Sequence, residues 1–144
     1  MEQAREISDR YTELINAHDA DAIGELYADD AVMSEPAGEF RGRAAIVEYW
    51  DGLFTAMPDL SGRDEFKAAA GDTAINEWSM SGTNSGPMET PEGSIAATGK
   101  RVTVGGCDAI TVRDGRIQSH RVYYDQLAFM TQLGLVPGGA AVEG

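Results

Sequence analysis

The chain has 144 residues, in which 24 acidic side chains face 11 lysines and arginines for a formal net charge of −13. That length suits one domain with a core of its own, and an acidic field with scattered basic residues argues against nucleic acid and anionic membranes as partners. A single cysteine, Cys107, precludes an internal disulfide, and no Cys/His spacing fits a zinc site, so the expectation is a reducing, cytoplasmic setting with no metal and no cofactor.

Ala4, Ile7, Tyr11, Leu14 and Ile15 recur on one face at helical spacing and predict an amphipathic first helix. Its charged residues argue against a signal peptide in the first 20 positions, and no apolar run approaches bilayer length. Asp19-Ala20-Asp21 then supplies the start of a short second helix, carried by Ala22, Ile23, Leu26 and Tyr27 as far as Asp29-Asp30. Ala31 to Glu35 predicts a strand stopped by Pro36 and Gly38. From Arg43, the positions Ile46, Val47, Trp50, Leu53, Phe54 and Met57 predict a third helix, closed by Pro58.

Beyond Pro58 the pattern turns to strands: Leu60 to Ala69, Thr73 to Thr83, Arg101 to Val112 and Arg116 to Tyr124, with Asp114-Gly115 between the last two. These predict an antiparallel meander. Residues 84–99, rich in Gly and Pro, predict a long loop that serves as a lid or as a plain connector. Asp125 caps a last short helix through Leu133, stopped by Gly134 and Pro137. The domain is expected over residues 3–135, with a flexible tail over 136–144. Helices first and strands later predict an α+β fold in which a curved antiparallel sheet, covered by the N-terminal helices, encloses one pocket.

This order of elements, with Leu26-Tyr27-Ala28-Asp29-Asp30-Ala31-Val32 and Gly42-Arg43-Ala44-Ala45-Ile46, resembles the cone-shaped nuclear transport factor 2-like superfamily. The later strings Ser81-Gly82-Thr83-Asn84-Ser85-Gly86, Thr98-Gly99-Lys100-Arg101-Val102, Val112-Arg113-Asp114-Gly115-Arg116-Ile117 and Tyr124-Asp125-Gln126-Leu127 look most like its SnoaL-like polyketide cyclase branch. The first half is also similar to ketosteroid isomerase, in which a tyrosine and a protonated aspartic acid bind an enolate oxygen while a carboxylate moves a proton. That similarity implies Tyr11 as oxyanion tyrosine, Glu35 as base in place of an aspartate, and Asp108 as oxyanion acid. In the cyclase branch, His120 and Asp125 occupy the region of polar pocket residues.

The residues themselves leave alternatives open. Tyr11 on an apolar helix stripe is a core residue or a donor aimed into the pocket. Glu35 shares strand parity with Ala31 and Met33, so it faces water at its turn or forms part of the pocket wall. Asp108 alternates with Ile110 and Val112 and lies inward, unless a bulge at Gly105-Gly106 turns it out. His120 is a structural histidine or a pocket residue, and Asp125 caps a helix or contacts substrate. Trp50, Phe54 and Trp78 are core or pocket walls.

No glycine-rich phosphate loop, dinucleotide fingerprint or Gly-x-Ser-x-Gly elbow is present in the sequence. The expected function is therefore a cofactor-independent isomerase or aldol-type cyclase that moves protons on a small apolar carbonyl compound. Its rivals are a noncatalytic binder of a hydrophobic ligand and an epoxide hydrolase-like water addition, for which Arg121 with Asp108 and Asp125 would supply an Asp-Arg-Asp cluster. A homodimer through the sheet is expected from the superfamily.

Overall fold

The computed structural model describes residues 2–90 and 93–135; the expected tail, 136–144, lies outside the described residues. The chain begins with α1 (Glu2–Ala17) and α2 (Ala20–Glu25), then forms the hairpin β1 (Tyr27–Glu35) and β2 (Gly38–Arg41) before α3 (Arg43–Ala56). Four strands β3 (Ser61–Ala70), β4 (Thr73–Thr83), β7 (Arg101–Arg113) and β8 (Arg116–Tyr124) follow, with a small hairpin β5 (Met88–Thr90) and β6 (Gly93–Ile95) inside the long loop. The last element is α4 (Gln126–Leu133), whose N-terminus is capped by Asp125 and whose C-terminus meets Gly134 in the left-handed region.

The six long and short strands of the main sheet run in the order β2-β1-β8-β7-β4-β3, curved and unclosed. The expected fully antiparallel sheet needs one correction: β1 pairs with β8 in parallel. A parallel neighbour requires a long connection, and here helix α3 and the whole meander intervene between the two strands. Besides the β5–β6 hairpin in the long loop, two strand segments of the main sheet escaped the sequence pattern. β2 was hidden behind Pro36, which sits in the hairpin turn where its missing N–H costs nothing, and β1 starts at Tyr27 instead of Ala31.

The reason for the early start lies in backbone capture. Leu26 and Tyr27 satisfy the helical period, yet the Ile117 N–H takes the Leu26 carbonyl at 2.8 Å and the Arg43 guanidinium takes the Tyr27 carbonyl at 2.6 Å. Those tertiary partners outweigh the one further helical turn that the spacing allows. The consequence is that Tyr27 lies on the sheet with its side chain fully buried.

The core gathers Ile15, Ile23, Ile46, Trp50, Met33, Ile110 and Ile117 between the helices and the inner face of the sheet. The long loop is pinned by Asn84, which is fully buried: its Nδ2 donates to the carbonyls of Ala56 and Gly86, and its Oδ1 accepts from Thr98. Gly86 approaches the Thr55 carbonyl so closely that a Cβ would stand 2.0 Å from it, which requires glycine there. Among the described residues, no helix is long and apolar enough to cross a membrane.

Candidate functional site

A cavity of about 100 Å³ opens between α1, α3, α4 and the inner face of the sheet. Ligand pockets for drug-sized molecules run to roughly 300–1,000 Å³, so this one suits a compact occupant, with Met33, Met57 and Met80 as adaptable walls. Tyr11, Trp50, Trp78, Asp108 and His120 line it, as do Asp64 and Asn76. Trp78 is aimed by glycine: a Cβ on Gly106 would stand 2.5 Å from two atoms of the indole, so the ring can lie against the neighbouring strand only because Gly106 has no side chain.

Strand register explains why the polar residues meet. On β4 and β7, Asn76 stands opposite Asp108, and on β7 and β8, Ile110 stands opposite His120, so these side chains share the inner face. From β8 the polar row turns into the helical layer. His120 Nε2 lies 2.5 Å from Asp108 Oδ2, and His120 Nδ1 lies 2.7 Å from the Tyr27 hydroxyl. The Tyr27 hydroxyl is in turn 2.6 Å from that of Tyr11, and the Trp50 indole N–H donates to the Tyr11 oxygen at 2.8 Å. A continuous hydrogen-bonded chain thus runs Trp50, Tyr11, Tyr27, His120, Asp108.

Proton counting gives this chain two directions. With Asp108 ionised and His120 neutral, Trp50 donates to Tyr11, Tyr11 to Tyr27, Tyr27 to His120 Nδ1, and His120 Nε2–H to the carboxylate. Every donor is then consumed inside the chain. When His120 carries a proton on both nitrogens, its Nδ1–H donates to Tyr27, Tyr27 donates to Tyr11, and the Tyr11 proton is left for another acceptor. Both tyrosines stay neutral throughout, because burial pushes their hydroxyls well above the usual phenol range.

Glu35 is placed differently from the base that the isomerase similarity implies. It is only 8 % exposed, but it does not line the cavity. Its Oε2 accepts from the Ala37 N–H across the β1–β2 turn, and its Oε1 accepts from Tyr49 and Tyr124, each at 3.3 Å. Tyr49 and Tyr124 do line the cavity, so the carboxylate sits beyond them as their anchor. Burial first, and the Glu35 charge second, pushes both hydroxyls up. Replacing Glu35 by Gln is expected to cost about 1–2 kcal/mol, read as a lower thermal midpoint, with the cavity chemistry left in place.

Two other expected contacts are also corrected. Phe54 stacks on His18 with ring centroids 4.3 Å apart and lies outside the lining, whereas Asp125 is exposed and spends its Oδ1 on the Ala128 N–H as a helix cap. Arg121 is exposed and alternates with His120 and Val122, which line the cavity, so Arg121, Asp108 and Asp125 form no Asp-Arg-Asp cluster. The described residues of the loop over 84–99 contribute nothing to the lining. Tyr27 and Asn76 were not singled out from sequence. Tyr27 could have been found only by asking why an aromatic follows a capped helix, and Asn76 as a polar residue on the Ala74–Trp78 face of its strand.

Among the described residues, no group of three or more His, Cys, Asp or Glu side chains is placed to hold a metal ion. Comparison with known proteins gives a consistent family. The family model for the SnoaL-like domain matches residues 8–120. A candidate SnoaL-like polyketide cyclase from Jannaschia sp. CCS1 superposes with a TM-score of 0.81 at 22% identity, covering 94% of each chain. IdmH of Streptomyces antibioticus, described as a candidate polyketide cyclase, is 25% identical with a TM-score of 0.74, covering 92% of this chain and 99% of its own. SalBIII, an epoxide hydrolase/cyclase-like enzyme with a role in pyran ring formation in the polyether salinomycin, is 24% identical with a TM-score of 0.72, covering 88% and 94%. None of the curated proteins matches the chain by sequence.

Proposed function

We propose, since the chain belongs to the SnoaL-like domain family, that it is a cofactor-independent acid/base enzyme that isomerises or cyclises a compact carbonyl compound of one or two rings. The observation that carries this reading is the chain from Trp50 to Asp108, which ends on a carboxylate lining the cavity. Asp108 Oδ2 is held by His120, so Oδ1 is the oxygen that takes a proton from the carbon next to the substrate carbonyl.

The electron pair left by that proton moves onto the carbonyl oxygen as an enolate. Asp108 keeps the transferred proton on Oδ1, and the Tyr11 hydroxyl turns away from Tyr27 to donate to the enolate oxygen. Donor and base thus act together, and the charge is met by a fixed dipole in an apolar site. Return of the proton to another carbon completes an isomerisation. Attack of the enolate carbon on a second carbonyl, with the proton delivered to the new alkoxide, completes an aldol cyclisation. Asp108 replaces Glu35 as the base in this scheme because Glu35 is engaged by Ala37, Tyr49 and Tyr124 away from the lining.

The test is deuterium uptake by 2-tetralone and by steroid and polyketide-like ketones in heavy water, followed by mass spectrometry. Catalysed exchange by the wild type that survives in Glu35→Gln within about threefold supports the scheme, since removal of a true base costs roughly 10²–10⁴. Absence of exchange with every ketone would leave a binding protein as the better reading.

A pair of chains is the proposed assembly. Ile75 and Tyr123 are exposed, alternate with cavity-lining neighbours and so lie on the outer face, and exposed Phe66 is paired with Glu77 beside them. Light scattering behind size exclusion is expected to give a dimer that Phe66→Asp with Tyr123→Asp converts to a monomer.

A further inference from the structure

Asn76 is 5 % exposed, lines the cavity, and its Oδ1 is buried with no hydrogen-bond partner. Buried polar atoms are nearly always paired, and an acceptor left unmade costs stability. The orientation of the amide is dictated by Asp64. Asp64 Oδ1 accepts from Asn76 Nδ2 at 2.9 Å and from Thr12 at 2.8 Å, and Asp64 Oδ2 accepts from Lys67 at 3.1 Å. Lys67 is itself fixed by Asp9 at 2.5 Å.

Burial pushes the Asp64 carboxyl up, but the bonds from Asn76, Thr12 and Lys67 outweigh it and hold the group below its usual range. A carboxylate so held accepts only, so a turned amide would place oxygen against oxygen. The Asn76 Oδ1 is thereby held as a fixed acceptor with no partner of its own, on the strand position opposite Asp108.

We propose that Asn76 is a specificity-determining acceptor for a hydroxyl or N–H on the substrate, distinct from the carbonyl that Tyr11 serves, so that the enzyme's substrate is a hydroxylated carbonyl compound. This deepens the proposed function and rests on it only in taking this cavity as the substrate site. A site built to receive a donor rejects the analogue that lacks it, because the acceptor then stays unpaired. A purely apolar substrate would leave Asn76 as it stands; a hydroxyl at that end completes the polar row.

The experiment compares 2-naphthol with 2-methylnaphthalene, which replaces the hydroxyl by a methyl group of similar size. Affinities are measured by calorimetry or by displacement of a fluorescent dye from the wild type, Asn76→Leu and Asp108→Ala. The wild type is expected to prefer 2-naphthol by about tenfold, and Asn76→Leu to lose that preference while binding 2-methylnaphthalene within about twofold of the wild type. If Asn76→Leu fails to fold, the smaller Asn76→Ser, which shortens the acceptor away from the ligand, is expected to lose most of the preference too.

Equal affinities in the wild type, or binding of neither compound, overturn the proposal and leave Asn76 to a bound water. A preference that persists in Asn76→Leu and disappears in Asp108→Ala overturns it in favour of Asp108. Because binding is read without turnover, absent ketone exchange sinks the catalytic reading alone, and lost discrimination with exchange intact sinks this one alone.

Discussion

Asp108→Asn is expected to slow α-proton exchange by about 10²–10⁴-fold, the usual contribution of a positioned general base, with little change in fold. The asparagine keeps an oxygen for the His120 Nε2–H at the position now 2.5 Å away, so the hydrogen-bonded chain persists while the proton acceptor is gone. Tyr11→Phe is expected to cost about 10²–10³, the range for removing one oxyanion donor. Tyr27→Phe separates two roles, because it leaves the base and the Tyr11 hydroxyl in place but cuts the link between them. If proton uptake and oxyanion donation are coupled through that link, Tyr27→Phe slows exchange, and combining it with Tyr11→Phe adds less than the sum of the two effects in free energy. Strict additivity would show that the tyrosines act independently. Exchange by Asp108→Asn at the wild-type rate would remove Asp108 from the chemistry.

Alkaline pH is expected to unfold the protein steeply. Tyr11 and Tyr27 are buried in mutual contact, and burial raises both hydroxyls well above their unfolded values. A group whose folded pKa is raised keeps its proton in the native state and loses it in the unfolded chain. Its contribution is therefore fully present below about pH 10, the unfolded tyrosine value, and declines as pH rises towards the folded value. Tyr49 and Tyr124, also raised, behave alike, so four such groups lower the unfolding free energy by about 5 kcal/mol for each pH unit above that point. A domain with roughly 5–15 kcal/mol to lose feels this at once. Urea titrations at pH 9, 10 and 11 measure the slope, and Tyr27→Phe, with one ionisable group fewer, is expected to lower it by about a quarter. A free energy that stays flat from pH 9 to 11 would show that the buried hydroxyls ionise in place.

The order of elements was legible because periodicity and turn residues speak for themselves: Pro58 ends α3, Asp114-Gly115 joins β7 to β8, and Asp125 caps α4. The position of Tyr11 was legible for the same reason, as a tyrosine on an apolar helix stripe. The site was legible only in pieces. Asp108 and His120 could be named separately as polar residues on apolar strand faces, but their contact depends on the β7–β8 register, which alternation within one strand does not determine. Asn76 depends further on the pairing of β4 with β7. Tyr27 was obscured because a helical period continued past the point where Ile117 and Arg43 capture the backbone. Glu35 had the inward parity expected of a base, yet parity does not reveal that Tyr49 and Tyr124 intervene between it and the cavity.

The parallel pairing of β1 with β8 also governs how the molecule comes into being. Tyr27 and His120 are 93 residues apart in the chain, so the bond between them closes a loop that spans most of the sequence. Closing such a loop spends entropy before any contact rewards it, and topologies rich in distant pairings fold in milliseconds to seconds. A nascent chain emerging from the ribosome has Tyr11, Tyr27 and Trp50 long before it has Asp108 and His120. The donors therefore wait, without their carboxylate, until the last strand arrives. Refolding followed by tryptophan emission, with Trp50 bonded to Tyr11 at the far end of that chain, reports the same late event that assembles the site.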